Sequence, residues 1–79
     1  TITMVLQMED IPGLLAEILG EVAQCRANIL TIHQSIPLNG VATLTMSVEV
    51  LSTTGNLSEM VAKIEEKNGV HYLKIVGRE

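Results

Sequence analysis

The residues of this 79-residue chain that can do chemistry by type and spacing gather at two places. Asp10-Ile11-Pro12-Gly13-Leu14-Leu15 follows a short apolar strand pattern and opens a helical one. Asp10 can accept hydrogen bonds from free amides at such a turn. Pro12 presets a helical φ and lacks an N–H that the first helical turn leaves unused. Gly13, with no Cβ, lets a ligand or another backbone come close. Such a corner exposes amide donors at the positive end of a helix dipole and is the best candidate for a functional site. The second place is Asn28-Ile29, where a new strand pattern opens and the Asn28 amide offers both a donor and an acceptor. The plain alternatives are a helix cap at Asp10 and left-handed turn chemistry at Asn28.

Other chemistry finds little support. Cys25 is the only cysteine, so no internal disulfide can form, and a small buried thiol near a helix end in a reduced cytoplasmic setting is the expectation. His33 and His71 stand alone on strand patterns without Cys, Asp or His at ligand spacing, so no metal or cofactor is expected. The hydroxyl residues lack a partner base, and no Ser/His/Asp or Cys/His constellation can be assigned, so no catalytic residue is expected and the domain reads as a non-enzyme. The net charge is −4, and the basic residues Arg26, Lys63, Lys67, Lys74 and Arg78 form no run. That balance argues against nucleic acid and against acidic membrane surfaces. The apolar runs fall far short of a membrane span.

The elements that must position these residues follow from periodicity. Ile2, Met4, Leu6 and Met8 alternate with Thr3, Val5 and Gln7, the mark of a half-buried strand. Over residues 12–25 the period switches, with Leu15, Ile18, Leu19 and Val22 on one helical face. Residues 28–36 read as a β-branched strand, and Pro37-Leu38-Asn39-Gly40 as a hairpin turn. Residues 41–50 alternate cleanly, with Ala42, Leu44, Met46, Val48 and Val50 facing in. Asn56 caps a second helix over residues 57–68, with Glu59 as its capping-box partner. Asn68-Gly69 ends that helix, and residues 70–76 form the last strand.

This order, β-α-β-β-α-β, predicts an α+β, ferredoxin-like sandwich: a four-stranded antiparallel sheet with two helices on one face. The other face would be polar, carrying Thr3, Thr31, His33, Thr43, Thr45 and Ser47. Residues 1–79 read as one small domain. Its start at Thr1, directly in a strand, suggests a piece of a longer chain. Below about 80 residues a core is marginal, and here Tyr72 is the only aromatic, so association with another surface is expected.

Asp10-x-Pro12-Gly13-Leu14-Leu15 after strand 1, followed by Ala27-Asn28-Ile29 opening strand 2, resembles an ACT domain. The resemblance spans nearly all 79 residues. More narrowly, Asn28-Ile29 through Gln34-x-Ile36-Pro37, with the Gly77-Arg78-Glu79 ending, resembles the ACT domain of small PheB-type bacterial proteins. The resemblance implies a regulatory module of amino-acid metabolism that pairs through sheet edge and helix 1. It implies that the module holds a free amino acid near the strand 1–helix 1 corner. The polar residue two before the proline and the Asn opening strand 2 would hold the effector, here Asp10 and Asn28, within a site of Asp10, Ile11, Gly13, Leu14, Leu15, Asn28 and Ile29. Serine-binding members carry a His four before the proline, where this chain has Met8, so an apolar or aromatic amino acid is favoured. Two alternatives stay open: a dimerisation module without a ligand, and part of a chorismate mutase-like protein. The second fits poorly, because a dianion calls for several cations and the arginines Arg26 and Arg78 lie far apart in sequence.

Overall fold

The computed structural model describes residues 1–35 and 39–78. The end of the expected second strand at Ile36, and Pro37-Leu38 of the expected turn, lie outside the described residues. The elements run β1 (Ile2–Glu9), α1 (Leu14–Gln24), β2 (Asn28–Gln34), β3 (Val41–Glu49), α2 (Leu57–Glu65) and β4 (Val70–Arg78). All pairings are antiparallel and the sheet order is β2-β3-β1-β4, so the central strands are β1 and β3 and the edges are β2 and β4. This is the ferredoxin-like arrangement expected from the element order.

Alternation explains the core. Ile2, Met4, Leu6 and Met8 of β1 lie opposite Val48, Met46, Leu44 and Ala42 of β3, and all eight side chains are buried. Leu14, Ile18 and Val22 of α1 and Met60 and Ile64 of α2 cover them. Leu15, Leu19, Leu57 and Val61, expected on the same helical faces, pack only partly against that core. On the opposite sheet face, Thr3 and Ser47 share a hydroxyl–hydroxyl bond of 3.2 Å, and the surface is polar as its sequence implied.

Several boundaries move. α1 begins at Leu14, not residue 12, because Ile11-Pro12-Gly13-Leu14 closes a turn first: the Leu14 amide donates to the Ile11 carbonyl at 3.1 Å. Gly13 sits at φ 86°, ψ −14°, the third position of a type II turn, with proline in its favoured second position. α2 stops at Glu65, short of residue 68, and Gly69 (φ 103°) supplies the left-handed turn into β4. Asn56 caps α2 as expected, its Oδ1 accepting from the Glu59 amide at 3.2 Å.

Both edge strands carry bulges. Leu30 is the extra residue of β2 against β3, and His71 and Val76 are the extra residues of β4 against β1. Bulges of this kind twist an edge and blunt indiscriminate pairing.

Candidate functional site

The β1–α1 corner is held by three backbone bonds, two of them to distant segments. The Glu9 amide donates to Gly69 O at 2.7 Å, Asp10 N–H to Gly40 O at 2.7 Å, and Ile11 N–H to Glu9 O at 2.9 Å. The α2–β4 turn packs directly beneath: a Cβ on Gly69 would lie 2.8 Å from Ile11 Cδ1 and 3.0 Å from Leu14 Cδ2. Only glycine lets the turn approach so closely. His71 Nε2 and Glu9 Oε2, 2.8 Å apart, join β4 to β1 beside the corner. Both are about half exposed, so the pair adds little stability.

The expected capping role of Asp10 is not seen. Gly13 is the N-cap residue of α1, and no side chain caps that end. The type II turn displaces the helix start, so the Asp10 carboxylate remains exposed with no hydrogen bond among the described residues. The available donors shift as well. The Leu14 amide is engaged by Ile11 O, which leaves the Gly13, Leu15 and Ala16 amides without an acceptor among the described residues. These are the groups that a carboxylate at a helix N-terminus would meet.

The apolar residues divide. Leu14 and Met8 are each 2% exposed and belong to the core, so neither offers its side chain to a molecule outside the chain. Ile11 is exposed, and Leu15 is half-buried. Ile11 and Leu15 are therefore the apolar atoms that this corner presents.

Asn28 is far from all of this. It pairs with Glu49 at the last residue of β3, and its Nδ2 donates to Glu49 Oε1 at 3.3 Å. Asp10 is bonded to Gly40, immediately before the first residue of β3. The nine residues of β3 therefore separate the two candidates by about 27 Å at 3.4 Å per residue. Within one chain, the Asp10 and Asn28 ends face away from each other. Nor is Asn28 the left-handed residue after α1; that role falls to Arg26, with φ 62°.

β2 itself is the feature that sequence reading underestimated. Ile29 and Ile32 lie opposite Val48 and Met46, on the helix side of the sheet, yet every residue of β2 is exposed. Ile29, Leu30 and Ile32 retain 36%, 47% and 44% of their accessible surface. The β-branched pattern identified a strand; that no helix covers it depends on where α1 settles. Elsewhere, a cleft of about 200 Å³ lies between the helices beside Cys25 and Asn56, and an apolar groove of about 290 Å³ lies between α2 and β4. Neither includes Asp10 or Asn28. Among the described residues, no three His, Cys, Asp or Glu side chains gather as a metal site would need, and no helix is long and apolar enough to cross a membrane.

Comparison with known proteins agrees with the fold. The family profile that matches is that of the ACT domain, over residues 1–74. An ACT domain-containing protein of Lachnoclostridium phytofermentans is 56% identical over 79 residues, which is 100% of this chain and 54% of that protein. A second, from Caldicellulosiruptor saccharolyticus, is 44% identical over 78 residues, 99% of this chain and 52% of the relative. The chain thus spans about half the length of the curated relatives it matches. The crystal structure of the ACT domain from GTP pyrophosphokinase of Chlorobium tepidum superposes with a TM-score of 0.74 at 20% identity, covering 95% of each chain.

Proposed function

The chain belongs to the ACT domain family, and we propose that it is a regulatory module binding a free amino acid at a site completed by two copies of itself. The observation that carries this reading is the placement of Asp10 and Asn28 at opposite ends of β3. The C-terminal end of β2 lies at the Asp10 end of the sheet, since the Ser35 amide donates to Thr43 O near the start of β3. Antiparallel pairing of β2 with β2 of a second copy would carry the partner's Asn28 toward that same end. One isologous contact then forms two equivalent sites, each with Asp10 from one copy and Asn28 from the other. The same contact would cover Ile29, Leu30 and Ile32.

In such a site Asp10 takes the ammonium, and the free amides of Gly13, Leu15 and Ala16 are placed for the carboxylate. Ile11, Leu15 and the partner's Ile29 supply apolar surface for the ligand side chain, which favours an apolar or aromatic amino acid over serine. Leu14 contributes from within, by seating the corner on Gly69. A ligand bound only by the paired state shifts the population toward pairing, and that change is what an attached or partner protein of amino-acid metabolism would sense in the cytoplasm.

Titration calorimetry against the twenty amino acids tests this reading. Binding of one or more apolar or aromatic members is expected, weakened about tenfold by Asn28→Ala through loss of one or two hydrogen bonds. No binding at millimolar concentration would replace it with the second reading, a dimerisation module without ligand. One observation favours that alternative: the Asn28 amide is already bonded to Glu49.

A further inference from the structure

Arg26 holds a backbone conformation that its side chain does not favour. It follows the C-cap residue of α1 with φ 62°, a position that glycine usually occupies. Its surroundings hold it there. The Arg26 amide donates to Ala23 O at 3.0 Å, the Ala27 amide to Val22 O at 3.4 Å, and the Thr54 hydroxyl to Arg26 O at 3.0 Å. Arg26 is exposed and, among the described residues, forms no ion pair, whereas Lys67 pairs with Glu21. A strained, fixed residue carrying a free cation invites a functional explanation.

We propose that Arg26 binds the carboxylate of the amino acid held between two copies, and so restricts the site to ligands with a free carboxylate. This rests on the two-copy site proposed above. Arg26 precedes Asn28 by two residues, so the pairing that carries Asn28 to the other copy's corner carries Arg26 with it. That corner is acidic: Glu9 and Asp10 are adjacent, His71 is bonded to Glu9, and Lys67 on the nearby turn is held by Glu21. A zwitterion there has a partner for its ammonium, but its carboxylate faces like charge, with the free helix amides as the donors that chain offers. A guanidinium offers paired donors in a fork that matches a carboxylate. The neutral Asn28 amide, shared with Glu49, supplies no charge.

The test is calorimetry with L-phenylalanine and L-leucine, and with L-phenylalaninamide as the carboxylate-free counterpart. Wild type is compared with Arg26→Gly and Arg26→Lys. Arg26→Gly suits the left-handed position, so the protein stays folded. The expected result is a loss of at least about tenfold in affinity for both acids in Arg26→Gly, no change for the amide, and only partial recovery in Arg26→Lys, which restores the charge without the fork. Wild-type binding of either acid with unchanged affinity in Arg26→Gly overturns the role of Arg26 and leaves the two-copy site standing. Absence of binding by wild type to either acid overturns that site and this inference together.

Discussion

Gly69 illustrates how much of the corner depends on single residues. Its φ of 103° and the 2.8 Å approach of Ile11 Cδ1 to a would-be Cβ make Gly69→Ala costly, by about 2 kcal/mol, the range for a strained backbone position. Denaturant unfolding should show that loss, and ligand affinity should fall with it because Ile11 and Leu14 are displaced. Asp10→Ala should behave oppositely. Asp10 caps nothing, so its removal should leave stability within about 0.5 kcal/mol while weakening amino-acid binding. Arg26→Gly should raise stability by about 0.5–1 kcal/mol, since relief of the left-handed penalty outweighs the added freedom of the unfolded chain. Sequence reading placed Pro12 at the first helical position because a proline followed by glycine fits either a helix start or a type II turn. The difference is set by the Gly40 and Gly69 carbonyls, which come from far along the chain. Arg26 left no trace in the sequence, because arginine is not a residue type that marks a left-handed position.

At the scale of elements, local signals were sufficient for most of the fold. Alternation in β1 and β3, the Asn56 cap and the Gly69 stop are short-range features, and they placed the elements and their inward faces, except that Val50, expected to face in, lies past the end of β3 and is exposed. The coverage of β2 was not local. A strand of Asn, Ile, Leu, Thr and His reads the same whether a helix lies over it or a second chain does. Its exposed Ile29, Leu30 and Ile32 make a testable edge. Ile32→Glu should leave the isolated fold intact, because that side chain is already 44% exposed. Sedimentation should show it shifted toward the 8.5 kDa monomer relative to wild type. An unchanged association state would point to a different pairing surface.

For the whole molecule, the central point is topological. The β2-β3-β1-β4 order sends two residues of one family motif to opposite ends of the sheet, and a second copy can reunite them. Sequence reading grouped Asp10 and Asn28 through resemblance; their separation by the length of β3 emerges only once the strands are paired. Ligand and assembly are then linked, and saturating amino acid at a hundredfold over Kd should stabilise the paired state by about 2.7 kcal/mol for each of its two sites. The most direct measurement mixes two impaired proteins, Asp10→Ala and Asn28→Ala, under conditions where copies exchange, and counts amino-acid sites by calorimetry. A site shared between copies predicts that each variant alone binds weakly. In an equal mixture, half of the pairs are mixed and each mixed pair holds one intact site, so about a quarter of the wild-type sites return at wild-type affinity. A mixture that binds no better than its two components would contradict a site built from Asp10 of one copy and Asn28 of the other.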